Sequence, residues 1–251
     1  MIEITTIGSG SSGNCYILKN TSEDGFVERL IIEAGVPFNS VQKALKFDLR
    51  NISGCLVSHE HGDHAAFVKF YHKYKIPIYA TGGTLKEVGL LETLSWNGCH
   101  KMMLHHAYMV GKFKVMPFET EHDAAEPCGF LIDCPDGNRV LFATDTFYLR
   151  YRFPNITIFM LECNYDKGLL LQNIKNGSVH PSVAERVRKS HMSINQCIDT
   201  LRANDLSKVK AIVLIHLSEQ NGMDADFTSR VEKATGKMVH VAKKNKPVIV
   251  F

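Results

Sequence analysis

The segment Ser58-His59-Glu60-His61-Gly62-Asp63-His64 gathers three imidazoles and an aspartate directly after the apolar run Gly54-Cys55-Leu56-Val57. A chain with such a segment must fold so that a strand delivers the donors to one point and other segments close around them. Nitrogen and oxygen donors at alternating spacing suit transition metals. At a strand end, residues two apart share a face, so His59 and His61 can reach one ion while Asp63 and His64, at the turn into a helix, reach a second. With 12 histidines in 251 residues, a run of this kind is expected by chance on the order of once per thousand such chains.

Four further segments end an apolar run, or open a helix, with a ligand-capable residue. Glu119-Thr120-Glu121-His122-Asp123 follows Phe113 to Phe118, and Ala143-Thr144-Asp145-Thr146 follows Val140-Leu141-Phe142. Ser190-His191-Met192-Ser193 stands at a helix start, and Leu214-Ile215-His216-Leu217-Ser218 at a strand end. Loops at strand ends are where rigid scaffolds hold functional groups. Each segment alone is weak evidence; with the first cluster they have the content of a closed two-metal site.

The rest of the chain frames these residues. Strand-like runs at 2–7, 15–18, 28–33, 54–58, 77–80, 113–118, 128–133, 139–143 and 156–162 are β-branched or apolar and bounded by Gly, Pro, Asn or Asp. Helical periodicity falls at about 38–47, 64–74, 83–92, 194–204 and 224–235. The Pro135-Asp136-Gly137-Asn138 turn is hairpin-like, so mixed sheets are expected. Two such sheets packed face to face with helices outside give an α/β, four-layer αββα arrangement. No repeat or Pro/Gly/Ser linker divides residues 1–251, which predicts one domain.

Composition sets limits on partners and compartment. The first residues alternate like a strand, so no signal peptide is expected, and no apolar stretch approaches the roughly 20 residues that span a bilayer. Seven cysteines, odd in number and without a C-x-x-C pair, predict buried thiols in a reducing cytoplasm. A net charge of +3 does not by itself mark a polyanion binder, although Arg186-Val187-Arg188-Lys189 and Lys243-Lys244-Asn245-Lys246 are basic clusters. Gly8-Ser9-Gly10-Ser11-Ser12-Gly13-Asn14 can form an anion-facing loop, but its glycine spacing is neither G-x-G-x-x-G nor a P-loop.

His59, His61, Asp63 and His64, then His122, Asp145 and His216, resemble the signature of the metallo-β-lactamase superfamily. The resemblance implies one metal on His59, His61 and His122, a second on Asp63, His64 and His216, and Asp145 bridging both. One departure is Glu33-Ala34-Gly35, where the family usually has Asp-x-Gly. Within the superfamily the chain is most similar to the YycJ-like exonuclease group. The carriers are the Gly8 to Asn14 loop, His122-Asp123-Ala124-Ala125-Glu126-Pro127, Ala143-Thr144-Asp145-Thr146, His191-Met192-Ser193-Ile194-Asn195 and His216-Leu217-Ser218-Glu219-Gln220-Asn221.

The position of His191 is similar to that of a histidine which tRNase Z-like phosphodiesterases place beside the leaving oxygen. The resemblance therefore implies a phosphodiester hydrolase with two divalent ions, Zn²⁺ or Mn²⁺, in which Asp63 orients the attacking water and His191 donates a proton. Ser9, Ser12, Asn14 and Asn221 are candidate phosphate contacts. The first functional expectation is a DNA or RNA nuclease. The alternative is a cyclic-nucleotide phosphodiesterase, whose closed pocket would need a lid, from Tyr148 to Phe153 or Tyr165 to His180, or a second subunit in a homodimer. A structural or DNA-binding metal protein is disfavoured because every catalytic position is filled.

Overall fold

A computed structural model of the chain describes residues 1–93, 98–244 and 246–250. Among the described residues the strands are β1 (Ile2–Gly8), β2 (Cys15–Thr21), β3 (Val27–Ile32), β4 (Ile52–Leu56), β5 (Ile78–Thr81), β6 (Cys99–Met102), β7 (Tyr108–Val110), β8 (Phe113–Glu119), β9 (Cys128–Asp133), β10 (Arg139–Ala143), β11 (Ile158–Glu162), β12 (Ala211–Ile215), β13 (Val239–Val241) and β14 (Val248–Val250). The helices are α1 (Phe38–Ala44), α2 (Gly62–Ala65), α3 (Val68–Lys73), α4 (Gly82–Glu87), α5 (Lys167–Lys175), α6 (Pro181–Ser190), α7 (Ile194–Arg202) and α8 (Asp224–Thr235). The strands form two seven-stranded sheets, in the orders β14-β1-β2-β3-β4-β5-β6 and β13-β12-β11-β10-β9-β8-β7. Both are mixed. β14, β1, β2 and β3 pair antiparallel and β3 through β6 parallel. In the second sheet β7, β8 and β9 pair antiparallel, whereas β10 through β13 pair parallel.

The chain divides into two compact units. The first holds Met1–Glu119, Ala124–Arg139 and Lys243–Phe251; the second holds Thr120–Asp123 and Val140–Ala242. In the first unit the core gathers Ile7, Ile17, Ile31, Val57, Tyr71 and Leu85, all buried. In the second unit β12, Ala-Ile-Val-Leu-Ile, is buried throughout, as is β11, the continuous apolar run expected of a central parallel strand. A smaller cluster packs Leu170 and Ile174 against Tyr165, Val179, Ala184 and Val187.

The strand-like runs at 2–7 through 156–162 each coincide with a strand, with shifts of at most three residues at the ends. The helical stretch at 64–74 is two helices instead of one. The Phe67 amide donates to Ala34 O at 3.0 Å rather than continuing the helical ladder, and Phe67 lies off helical geometry at φ −109°, ψ 7°. The stretch at 38–47 stops at Ala44 because Lys46 and Phe47 turn left-handed, φ 51° and 63°. Tyr165 to His180, expected as a lid, contains α5, whose Leu170 is buried in the small core. Tyr148 to Phe153 has no regular structure. All seven cysteines are buried and unbridged, and burial pushes the Cys15 thiol up to about 12. Among the described residues no helix is long and apolar enough to cross a membrane. In the basic cluster at 243–246, Asn245 lies outside the described residues.

Candidate metal centre

In the first unit the donor segment leaves the carboxyl end of β4 and enters α2, with His61 in the N-cap position. Its neighbours are the end of β3 and the loop between β1 and β2. Asn14 N donates to Asp63 O at 2.7 Å, and Ala34 N donates to His64 O at 2.7 Å. The close fit explains Gly35: a Cβ there would stand 1.8 Å from Asp63 O. The histidine rings crowd together, His59 to His61 at 4.7 Å and His59 to His64 at 4.2 Å between centroids. Ser58 Oγ lies 2.9 Å from His59 Nδ1, leaving Nε2 as the donor toward an ion.

Glu33, wholly buried, takes the supporting place at the end of β3. Its Oε2 accepts from Ser58 N at 3.3 Å and lies 3.6 Å from His64 Nδ1, while Oε1 has no hydrogen-bond partner among the described residues. His64 Nε2 faces Asp63 Oδ2 at 3.3 Å. A carboxylate behind one ring nitrogen fixes the tautomer that offers the other to a metal.

In the second unit three neighbouring parallel strands each end in a polar residue. Asp145 follows β10, Glu162 closes β11, and His216 follows β12; Glu162 is the register partner of Ile215. The carboxyl ends of parallel strands are where α/β sheets place their ligands. His191, the C-cap residue of α6, completes the group. Asp145, Glu162, His191 and His216 each offer a ligand atom within 4.8 Å of the others. His216 Nε2 lies 3.4 Å from Asp145 Oδ1, and His122 Nε2 lies 3.7 Å from Asp145 Oδ2.

Glu162 is the organising carboxylate. Oε1 accepts from His191 Nδ1 at 2.7 Å and lies 3.5 Å from His216 Nδ1; Oε2 accepts from Thr146 N at 2.9 Å. Burial works against the charged carboxylate, yet the His191 imidazole and the bonds from His191 and His216 hold its pKa below the ordinary carboxylate value. For His191 the balance is the converse. Burial pulls its pKa down, but Glu162 and then Asp145 outweigh that and leave it raised. Asn164 adds a bond from Nδ2 to His216 O at 2.8 Å.

Of the residues expected in the site, His59, His61, Asp63 and His64 come together in the first unit, and His122, Asp145, His191 and His216 in the second. Glu162, Asn164 and Thr146 were not expected from the sequence. The only signal for Glu162 is an acid closing the apolar run Ile158-Phe159-Met160-Leu161. Of the phosphate-contact candidates, Ser12 is exposed and Ser9 Oγ lies 2.8 Å from Tyr16 OH. Asn14 is buried, its Nδ2 3.0 Å from His64 Nε2 and within 3.4 Å of Asp63 Oδ2. Asn221 is buried, accepting from Asn173 Nδ2 at 2.9 Å. Their bonding makes Asn14 a support for the donor segment and Asn221 a loop tie.

Buried imidazoles backed by carboxylates are the donor chemistry of a metallohydrolase, and in the second unit Asp145, Glu162, His191 and His216 together could hold a metal ion. Residues 16–217 match the family described as Beta-lactamase superfamily domain, and the chain belongs to that family. It is 26% identical over 232 residues to exodeoxyribonuclease YycJ of Bacillus anthracis, covering 88% of this chain and 84% of the relative. The metallo-beta-lactamase fold protein YhfI of Bacillus subtilis shares the fold, with TM-score 0.73 and 16% identity over 98% of each chain. So does a diphosphatase of the PhnP family, with TM-score 0.67 and 14% identity over 100% of this chain and 98% of that one.

Proposed function

We propose that the protein is a binuclear metal-dependent phosphodiester hydrolase acting on DNA or RNA. His59, His61 and His122 would hold one divalent ion, Asp63, His64 and His216 the other, with Asp145 between them. Mixed imidazole and carboxylate donors suit Zn²⁺ or Mn²⁺. A pair of such ions supplies a water of lowered pKa and neutralises charge on a phosphoryl group.

The chain's own residues do the remaining work. Asp63 orients the attacking water. His191 protonates the departing oxygen, and the observation that carries this role is its 2.7 Å bond to Glu162. Because a carboxylate accepts, Nδ1 keeps its hydrogen, and Nε2 is the nitrogen that delivers a proton. Ser12, exposed in the glycine-rich loop, would serve as a phosphate contact. The choice of nucleic acid as substrate is supported by the similarity to exodeoxyribonuclease YycJ.

A second reading, hydrolysis of cyclic nucleotides, is favoured by the net charge of only +3. A parallel assay of linear DNA, RNA and 3′,5′-cyclic nucleotides in one buffer separates the two. The nuclease reading expects cutting of linear substrate, with binding that weakens steeply as salt rises. Rapid hydrolysis of cyclic nucleotides with negligible cutting of linear ones would establish the alternative.

A further inference from the structure

The second unit contains a cavity of about 600 Å³ whose lining includes His122, Asp123, Phe147, Arg186 and Lys189. The volume is that of a small-molecule site, which runs from about 300 to 1,000 Å³. One nucleotide fits such a space and a duplex does not. One wall is a face of α6, because residues 182, 186 and 189 recur at helical spacing.

The side chains in that wall differ in what they have left to offer. Lys189 is tied to Glu185 at 2.8 Å in an exposed pair, whereas Arg186 has no hydrogen-bond or ion-pair partner among the described residues. An unpaired guanidinium is a fork for phosphate oxygens. Phe147 is 37% exposed, and its carbonyl is held by Gln196 Nε2 at 2.8 Å, so the backbone of a solvent-facing aromatic is anchored. A ring in that situation is a stacking platform for a base. Asp123 accepts from Ser190 Oγ at 3.5 Å and keeps a side chain 69% exposed, an acceptor for the amino groups of a base edge. His122, a ligand in the reading above, lines the same cavity.

We propose that this cavity is a one-nucleotide subsite, in which Phe147 stacks the base and Arg186 holds a phosphate. The proposal rests on the phosphodiesterase reading and makes it more specific. A single nucleotide has to leave its neighbours to enter, so the substrate is a single-stranded or frayed end rather than the interior of a duplex.

Calorimetric binding of deoxyadenosine monophosphate and of inorganic phosphate to the whole protein tests this without relying on turnover. Phe147→Ala should raise the Kd for the nucleotide about tenfold and leave that for phosphate unchanged, while Phe147→Tyr, which keeps the ring, binds as the parent does. Arg186→Ala should weaken both ligands. Arg188→Ala, on the same helix but outside the cavity lining, is the control and should weaken neither. Deoxyadenosine monophosphate binding no tighter than phosphate, or a Phe147→Ala Kd within twofold of the parent, would overturn the subsite. If DNA is cut with an unchanged KM in both the Phe147→Ala and Arg186→Ala proteins, the subsite falls and the nuclease reading stands. If the binding pattern appears in a protein that cleaves no phosphodiester, the nuclease reading falls and the subsite stands.

Discussion

Glu33, Asp145 and His216 all hold a left-handed backbone, with φ of 70°, 47° and 55°. Such conformations cost on the order of 1–3 kcal/mol each away from glycine and persist where surrounding bonds over-determine them. Glu33 N donates to Leu56 O at 2.8 Å, and its carboxylate reaches Ser58 N and His64. From this αL turn the Glu33 carboxylate braces the donor segment. Glu33→Gln should weaken metal binding about 10–100-fold while the protein stays folded, as titration with a fluorescent zinc chelator would report. An unchanged affinity would remove Glu33 from the support of His64.

In the proposed mechanism His191 acts as a proton donor apart from metal binding. His191→Ala should slow turnover by roughly 10²–10⁴-fold on substrates with a poor leaving group. The loss should be far smaller on bis(p-nitrophenyl) phosphate, whose leaving group departs without a proton. Loss of metal from this variant would instead make His191 a ligand. His59, His61, His122, Asp145 and His216 were legible because they stand at or just past the ends of apolar runs, and His191 because it stands at a helix start. Glu162 was not, since an acid terminating a strand also reads as the start of a surface loop, and only the register of β11 beside β12 turns it inward.

Among the elements, α5 shows why some of the fold escaped the sequence. Lys167–Lys175 contains Gly168 and Asn173, and only Leu170 is fully buried, so no apolar stripe of helical period marks it. What starts it is Asp166. Oδ1 accepts from Gly168 N at 2.7 Å and Leu169 N at 3.0 Å, and Oδ2 accepts from Arg230 of α8 at 2.7 Å. Burial opposes ionisation, but the Arg230 bond and the two amides hold the carboxyl below its usual pKa.

A depressed folded-state pKa stabilises the protein above the unfolded value near 4 and loses that contribution as pH falls through the folded value. Asp166→Ala should therefore cost about 1–2 kcal/mol at neutral pH. The gap from the parent should narrow below about pH 4. Denaturant melts at both pH values check this, and a gap that widened in acid would contradict it.

At the scale of the molecule, strands such as β13 and β14 were invisible because three residues carry no periodicity, while long alternating or apolar runs such as β1 and β11 were plain. The first unit takes residues from both sides of the second in sequence, so no linker separates them. We propose that residues 1–251 act as one domain, and expect a single unfolding transition seen alike by circular dichroism and calorimetry. Two transitions would mean that the units unfold independently.

Metal occupancy is the property on which the proposed hydrolysis rests. Phosphodiesterase turnover of chelator-stripped protein, followed while Zn²⁺ or Mn²⁺ is returned in known equivalents, tests this directly. A binuclear hydrolase gives no turnover when stripped and regains it up to about two equivalents per chain. Absence of hydrolysis of DNA, RNA, cyclic nucleotides and bis(p-nitrophenyl) phosphate at every metal loading would contradict it.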